Sequence, residues 1–269
     1  MNQFEDAVKR LTVNPIIRNI GRVIDRKNYP GVPIFIVASP RSGTTLLLSI
    51  MGAHPNIFAI PKQTYAFDRW RKVHHEHYQY YPYRIDRMYR YFIFHGYDKE
   101  PNRWCEKTPR HIQSIGKIAD FFKGRVKIIH IIRDGRDVVT SKHPKHRPDE
   151  YWVTPDRWVG DVKNGLKYRK EKFMHTIFYE DLVDDYLSVV KGICEFVDEP
   201  FIYTLKEWTE FTNIRQSKHW KNGVEKVHKR AVEKWKQPEH KKVIEKLMNN
   251  SQAVDLLHKL GYVNLKGKK

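Results

Sequence analysis

Pro33-Ile-Phe-Ile-Val-Ala-Ser-Pro-Arg-Ser-Gly-Thr-Thr-Leu-Leu-Leu48 is the stretch on which the reading of this chain turns. Residues 34–38 are an unbroken apolar run, the pattern of a strand buried on both faces of a parallel sheet rather than one alternating between core and water. Ser39-Pro40 interrupts the run, Gly43 permits a tight turn, and Thr44 opens a helix whose apolar side continues through Ile50 and Met51. Strand, small-residue loop and helix start together form an anion cradle. The free N–H groups of the first turn and the helix dipole both favour negative charge there.

Laid on the nucleotide-triphosphate pattern G-x-x-x-x-G-K-[ST], the stretch keeps only Gly43 and Thr45, with Ala38 at the first glycine and Thr44 at the lysine. The cation has moved to Arg41. Ser39-Pro-Arg-Ser-Gly-Thr-Thr-Leu46 instead resembles the 5′-phosphosulfate loop of sulfotransferases that use 3′-phosphoadenosine 5′-phosphosulfate (PAPS). That resemblance implies cofactor binding by Arg41, Ser42, Gly43, Thr44, Thr45 and Leu46.

A chain of 269 residues can bury one large core, so a single domain over 1–269 is expected. Its net charge of +19 and isoelectric point near 9.7 favour anionic partners: sulfated or phosphorylated ligands, nucleic acid or an acidic surface. Cys105 and Cys194 make neither a metal motif nor a disulfide framework, which points to a reducing, cytoplasmic compartment. No run reaches the roughly 18 apolar residues of a membrane span. The N-terminal segment, 1–30, reads as helical, with Phe4, Val8 and Leu11 on a surface helix followed by a second short one. It lacks a signal peptide's apolar core, and membrane-surface binding is a minor alternative.

Further strands are expected at 56–60, 126–132 and 175–179, and helices at 110–122, after Gly135, from Pro155 towards Lys172, and at 185–197, 238–248 and 252–260. Between them lies 62–104, rich in Tyr, Phe and Trp among Arg, Lys and His. It shapes an acceptor site or simply packs its rings on the sheet. Residues 201–237 are irregular and lysine-rich, either a flap or a solvated connector. Strands alternating with helices give an α/β fold: a P-loop-like parallel sheet flanked by helices on both faces. Ligands of such sheets bind at the carboxyl ends of strands, where both the 39–45 loop and Arg133 lie.

Arg133 at a strand end and Ser141 two turns into the next helix can converge on one anion. In sulfotransferases a similar Arg-x-x-Arg-Asp stretch, with a serine eight residues after the first arginine, binds the 3′-phosphate of PAPS; Arg133 and Ser141 match it. Trp104-Cys-Glu-Lys-Thr-Pro109 is similar to the Glu-Lys-Thr-Pro segment of glycan sulfotransferases, which places Lys107 beside the transferring sulfuryl group. Phe178-Tyr-Glu-Asp-Leu182 resembles the family's Tyr-Glu-Asp strand end, bringing Tyr179 to the nucleotide. Ala231–Lys236 and Leu260-Gly-Tyr262 resemble the C-terminal portion, and Lys229 and Arg230 join the expected cofactor-binding set. Such resemblances run from about Ile34 to Tyr262, closest to glycan-type and bacterial members.

Sulfuryl transfer is an in-line displacement that needs positioning and charge stabilisation, for which Arg41, Lys107 and the N–H groups at 43–45 are candidates. A sulfuryl group carries less charge than a phosphoryl group, so cationic side chains can serve without Mg²⁺. No metal spacing is present, and Asp134 and Asp137 are expected to pair with cations. At the base position of glycan sulfotransferases stands Gln63, which cannot take a proton, and Pro109 occupies the aryl enzymes' histidine position. Asp68, His74, Glu106 or His111 therefore remain as bases, or the acceptor is an amine. The expected activity is sulfuryl transfer from PAPS to a hydroxyl or amine of a glycan or other small polar acceptor. A degenerate P-loop kinase or NTPase, a non-catalytic PAPS-binding protein and a polyanion-binding protein are the alternatives.

Overall fold

A computed structural model describes residues 12–67, 84–94, 101–142, 150–214 and 229–263. In chain order the regular elements begin with helix α1 (Asn14–Asn28), strand β1 (Ile34–Ala38), α2 (Thr44–Met51), β2 (Ile57–Ala59), α3 (Asp86–Phe94) and β3 (Arg103–Lys107). Then come a 3₁₀ turn over Pro109–Ser114, α4 (Ile115–Phe121), β4 (Lys127–Ile132), α5 (Gly135–Val139), α6 (Pro155–Leu166), β5 (Met174–Phe178), α7 (Tyr179–Asp184) and α8 (Tyr186–Phe196). Two one-turn helices, α9 (Tyr203–Lys206) and α10 (Trp208–Phe211), precede α11 (Lys241–Met248) and α12 (Ser251–Lys259).

All pairings between the five strands are parallel, in the order β2-β3-β1-β4-β5. β1 is the centre: Ile36 lies opposite Lys107 on one side and Ile129 on the other. Every residue of β1 is fully buried, as its unbroken apolar run requires. Alternate residues feed two cores. Ile34, Ile36 and Ala38 pack with Leu47, Met51, Val190 and Leu205, whereas Phe35 and Val37 pack with Ile17, Phe67, Trp104 and Ile115. A third cluster, around Trp158 and Leu256, covers the β4 end beside α5.

Several of the described rings of the aromatic segment serve packing, whereas Tyr65 and Phe94 are exposed. Phe35 meets Phe67 and Trp104 edge-on at centroid distances of 5.7 and 5.3 Å, and Phe92 packs against Trp104 at 5.8 Å. Trp70, Tyr78, Tyr80, Tyr81, Tyr83 and Tyr97 lie outside the described residues, as do Asp68 and His74.

Several sequence expectations need correction. Ser141, expected two turns into the helix after β4, lies beyond that helix, because α5 is a short element that ends at Val139 with Thr140 as its cap. Residues 103–107, where no strand was expected, form β3, buried along its whole length. Three of its five residues are charged, so it has no apolar run. It is stable inside the sheet because each charge finds a partner, Arg103 Nε meeting Glu199 Oε1 at 2.8 Å. The 110–122 helix is a 3₁₀ turn followed by α4, because the His111 ring and the Ser114 hydroxyl are tied to Phe67 and fix the tighter turn. Tyr179 belongs to α7, not to the preceding strand. Among the described residues no helix is long and apolar enough to cross a membrane.

Candidate active site

From β1 the chain passes outside β3 to reach β2, and from β3 it crosses to β4 on the other side of β1. The carboxyl ends of β1, β3 and β4 therefore meet at the reversal of strand order, where open α/β sheets bind ligands. β1 leads into Ser39–Gly43, where Arg41 and Gly43 adopt left-handed φ of 74° and 91°. A Cβ at Gly43 would sit 2.4 Å from the Tyr179 ring, so only glycine lets that ring close on the loop. Beyond it Thr44, Thr45 and Leu46 form the first turn of α2. Both Ser42 Oγ and Arg41 Nε are buried without a hydrogen-bond partner.

Arg133 leaves the end of β4 and crosses to this loop. Its Nη1 donates to the Arg41 carbonyl at 2.8 Å, its Nη2 donates to the Ala231 carbonyl, and its guanidinium lies 4.5 Å from the centre of the Tyr179 ring. Its Nε is also buried and unpartnered. Burial, and then the Arg133 charge, push the Arg41 pKa down. Two neighbouring cations with buried, unspent N–H donors are costly without an anion to receive them. Ser141 donates to the Asp137 carbonyl at 2.8 Å, and the Asp137 carboxylate lies 3.7 Å from Arg133, so Asp137 stands between the two expected 3′-phosphate ligands.

Lys107 ends β3. Its Nζ donates to Thr45 Oγ1 at 3.2 Å, bringing a third cation to the start of α2. Burial pulls its pKa down to about 8, with the Glu106 carboxylate opposing. The neighbouring Glu106 is fully buried and points elsewhere. Its Oε1 accepts from Thr64 N at 3.1 Å, Thr64 Oγ1 at 2.9 Å and Thr108 Oγ1 at 2.5 Å, and its Oε2 pairs with His111 Nδ1 at 3.0 Å. Burial alone would raise its pKa; His111 and these donors outweigh burial and lower it. His111 Nε2 accepts from Phe67 N at 3.1 Å, so Nδ1 carries the proton that faces Glu106. Gln63 is half-buried just before this network, and Tyr65, at φ 54° and half-exposed, donates its N–H to Thr108 Oγ1 at 3.3 Å.

Several contributors lie in the quoted motifs, but their partners are set by the fold. Asp137 accepts from the main-chain N–H groups of Glu233 and Trp235 at 2.9 and 3.0 Å, latching segment 229–236 over the arginines. Arg136 stacks on Trp235 at 4.1 Å and pairs with Asp134 at 2.7 Å. Glu180 accepts from Asp134 N at 3.0 Å and Tyr262 Oη at 2.8 Å, joining β5 and the C-terminal segment to the β4 end. Lys229 and Arg230 are exposed, and Lys229 pairs with Asp184. Among the described residues no cluster of His, Cys, Asp or Glu could hold a metal ion.

The chain is similar to several known proteins. The chain is 23% identical over 244 residues to a protein of Aquifex aeolicus, covering 77% of this chain and 31% of that one. It is 26% identical over 124 residues to sulfotransferase 2A2 of Rattus norvegicus, covering 38% of this chain and 42% of that protein. The match to 3-beta-hydroxysteroid sulfotransferase of Cavia porcellus is 27% over 116 residues, covering 37% and 39%. The chain thus spans about a third to two fifths of the length of these relatives. Its fold superposes on the sulfotransferase domain of the Synechococcus PCC 7002 olefin synthase with a TM-score of 0.56, 19% identity and coverage of 87% and 96%. With mouse sulfotransferase SULT7A1 complexed with PAP, the TM-score is 0.50 at 16% identity, covering 86% and 88%. Residues 33–203, which hold β1 through β5 and every cation placed at the cradle, match the model of the sulfotransferase family, and the chain belongs to that family.

Proposed function

We propose that this protein transfers a sulfuryl group from PAPS to a hydroxyl or amine of a glycan or other small polar acceptor. The observation that carries the reading is the meeting of Arg41, Lys107 and Arg133, from three adjacent strand ends, around one helix start, with donors at Arg41, Ser42 and Arg133 left unspent. That donor set fits a ligand bearing anions at two ends. Bound PAPS would supply the activated sulfuryl group.

Arg133 and Ser141 are assigned to the 3′-phosphate, and the N–H groups of residues 43–45 with Ser42, Thr44, Thr45 and Leu46 to the 5′ side. Lys107 holds a proton at Nζ beside Thr45 and offers its charge where negative charge builds on the leaving oxygen. Tyr179 and the 229–236 segment close over Arg133 and exclude water from it; Lys229 and Arg230 stand at the rim. We assign Glu106 and His111 to positioning, since their polar atoms are committed to Thr64, Thr108 and Phe67. The acceptor's proton is left to Asp68 or His74, or to no base at all if the acceptor is an amine.

Cys105 and Cys194 are free and buried, in keeping with a cytoplasmic enzyme. The test is transfer of radiolabelled sulfate from PAPS across panels of glycans, phenols, lipids and amines, with calorimetry of 3′-phosphoadenosine 5′-phosphate binding. Labelled product with some acceptor and nucleotide binding without metal are expected. Binding of Mg²⁺-ATP in preference to the adenosine bisphosphate would overturn the assignment.

A further inference from the structure

Helix α1 is apolar on two sides, and the fold uses one. Ile17 and Gly21 are buried against α3, where Tyr89 fills the space above Gly21. Val13, Ile16, Ile20 and Val23, spaced three, four and three residues apart, form a second stripe left to solvent, at 40%, 58%, 46% and 65% exposure. The stripe has an aromatic neighbour. Arg90 of α3 reaches Asn14 at the start of α1 at 2.8 Å, and Phe94, one turn further along that side of α3, is 70% exposed.

The charges on these two helices are sorted. Arg22, Arg26 and Lys27 of α1 and Arg87 of α3 are exposed. Each helix has one carboxylate, and both are committed to the protein. Asp25 accepts from Trp104 Nε1 at 2.7 Å, and Asp86, 2% exposed, pairs with Arg84 at 2.9 Å. The outer surface of the pair therefore offers aliphatic side chains, a phenyl ring and cations, with no exposed carboxylate of its own.

We propose that this face binds the surface of an anionic lipid bilayer. An in-plane amphipathic helix needs a narrow apolar stripe to enter the acyl boundary and cations to meet acidic headgroups, and α1 supplies both. A second copy of the chain suits the face poorly, because a two-fold contact would join two surfaces that each carry cations and no exposed carboxylate to neutralise them. The net charge of +19 draws the whole molecule towards the same surface.

Co-sedimentation of the full chain with phosphatidylcholine vesicles, with and without phosphatidylserine, tests this. Capture by the phosphatidylserine vesicles alone, weakening with salt, is expected. Ile16→Asp/Val23→Asp and Arg22→Glu/Arg26→Glu should each reduce capture roughly tenfold or more, with melting temperature and adenosine bisphosphate affinity unchanged. Three results would overturn the proposal. One is absence of wild-type capture. Another is capture indifferent to Ile16→Asp/Val23→Asp, which is charge attraction without the stripe. The third is a wild-type dimer in sedimentation velocity that the same pair dissociates, which makes the stripe a protein interface.

Discussion

Arg133 Nη1 donates to the main-chain carbonyl of Arg41 at 2.8 Å, so the guanidinium expected to hold one end of the nucleotide also shapes the loop expected to hold the other. The two expected anion pockets are thereby one mechanical unit. Arg133 additionally carries the Ala231 carbonyl and faces the Tyr179 ring, which itself rests on Gly43.

Arg133→Ala should weaken 3′-phosphoadenosine 5′-phosphate binding by about 1.5–3 kcal/mol, the worth of a hydrogen bond to a charged group. Because the Arg41 and Ala231 carbonyls lose their donor as well, the melting temperature should fall even without nucleotide. Calorimetry and thermal denaturation measure the two losses; unchanged affinity would sink the 3′-phosphate assignment.

Lys107 binds its proton with a pKa near 8, so a ligand that needs the cation should bind and turn over less well as pH rises through that value. Lys107→Arg should remove the inflection, since guanidinium stays charged. Lys107→Ala should lower kcat by a larger factor than it weakens nucleotide affinity, as expected of a group acting mainly in the transition state. A pH–rate profile and a KM-against-kcat split decide both points.

Glu106→Gln separates positioning from proton abstraction. The Glu106 oxygens receive Thr64, Thr108 and His111, so an amide in their place sets N–H against a donor and should cost about 1–3 kcal/mol of stability. Transfer activity measured well below the melting point should persist in part. Complete loss of turnover with stability intact would make Glu106 the base instead.

His130 is buried in β4 with neither ring nitrogen hydrogen-bonded, and burial holds its pKa near 3. Between that value and the ordinary 6.5 the unfolded chain binds the extra proton, so stability is fully present above pH 6.5 and declines as pH falls through this window. The slope reaches about 1.4 kcal/mol per pH unit from this group alone. Denaturant titrations of His130→Leu should show a shallower acid limb than wild type, with His54 and His175, also lowered by burial, leaving a residual slope.

Gly43→Ala should destabilise the loop and weaken nucleotide binding together. The new Cβ would sit 2.4 Å from Tyr179 on a backbone at φ 91°. The double variant Gly43→Ala/Tyr179→Ala should recover part of the stability by removing the clash but not the backbone strain. No recovery in thermal denaturation would show that strain alone sets the cost.

By itself the sequence determined the α/β architecture, because β1 and β4 are apolar runs that only a sheet covered on both faces can bury, and it named Gly43, Arg41, Arg133 and Lys107 as the residues of the proposed anion cradle. Tertiary structure decided what local pattern does not encode. β3 is a strand because Arg103, Glu106 and Lys107 each find a partner from far along the chain or across the sheet. Glu106 and His111 are separated from Lys107, although adjacent or nearly so in sequence, because neighbouring residues of a strand face opposite sides of the sheet. Asp137 and Ala231 enter the site only when segment 229–236 returns to β4, a contact between residues nearly a hundred positions apart that no short-range periodicity records.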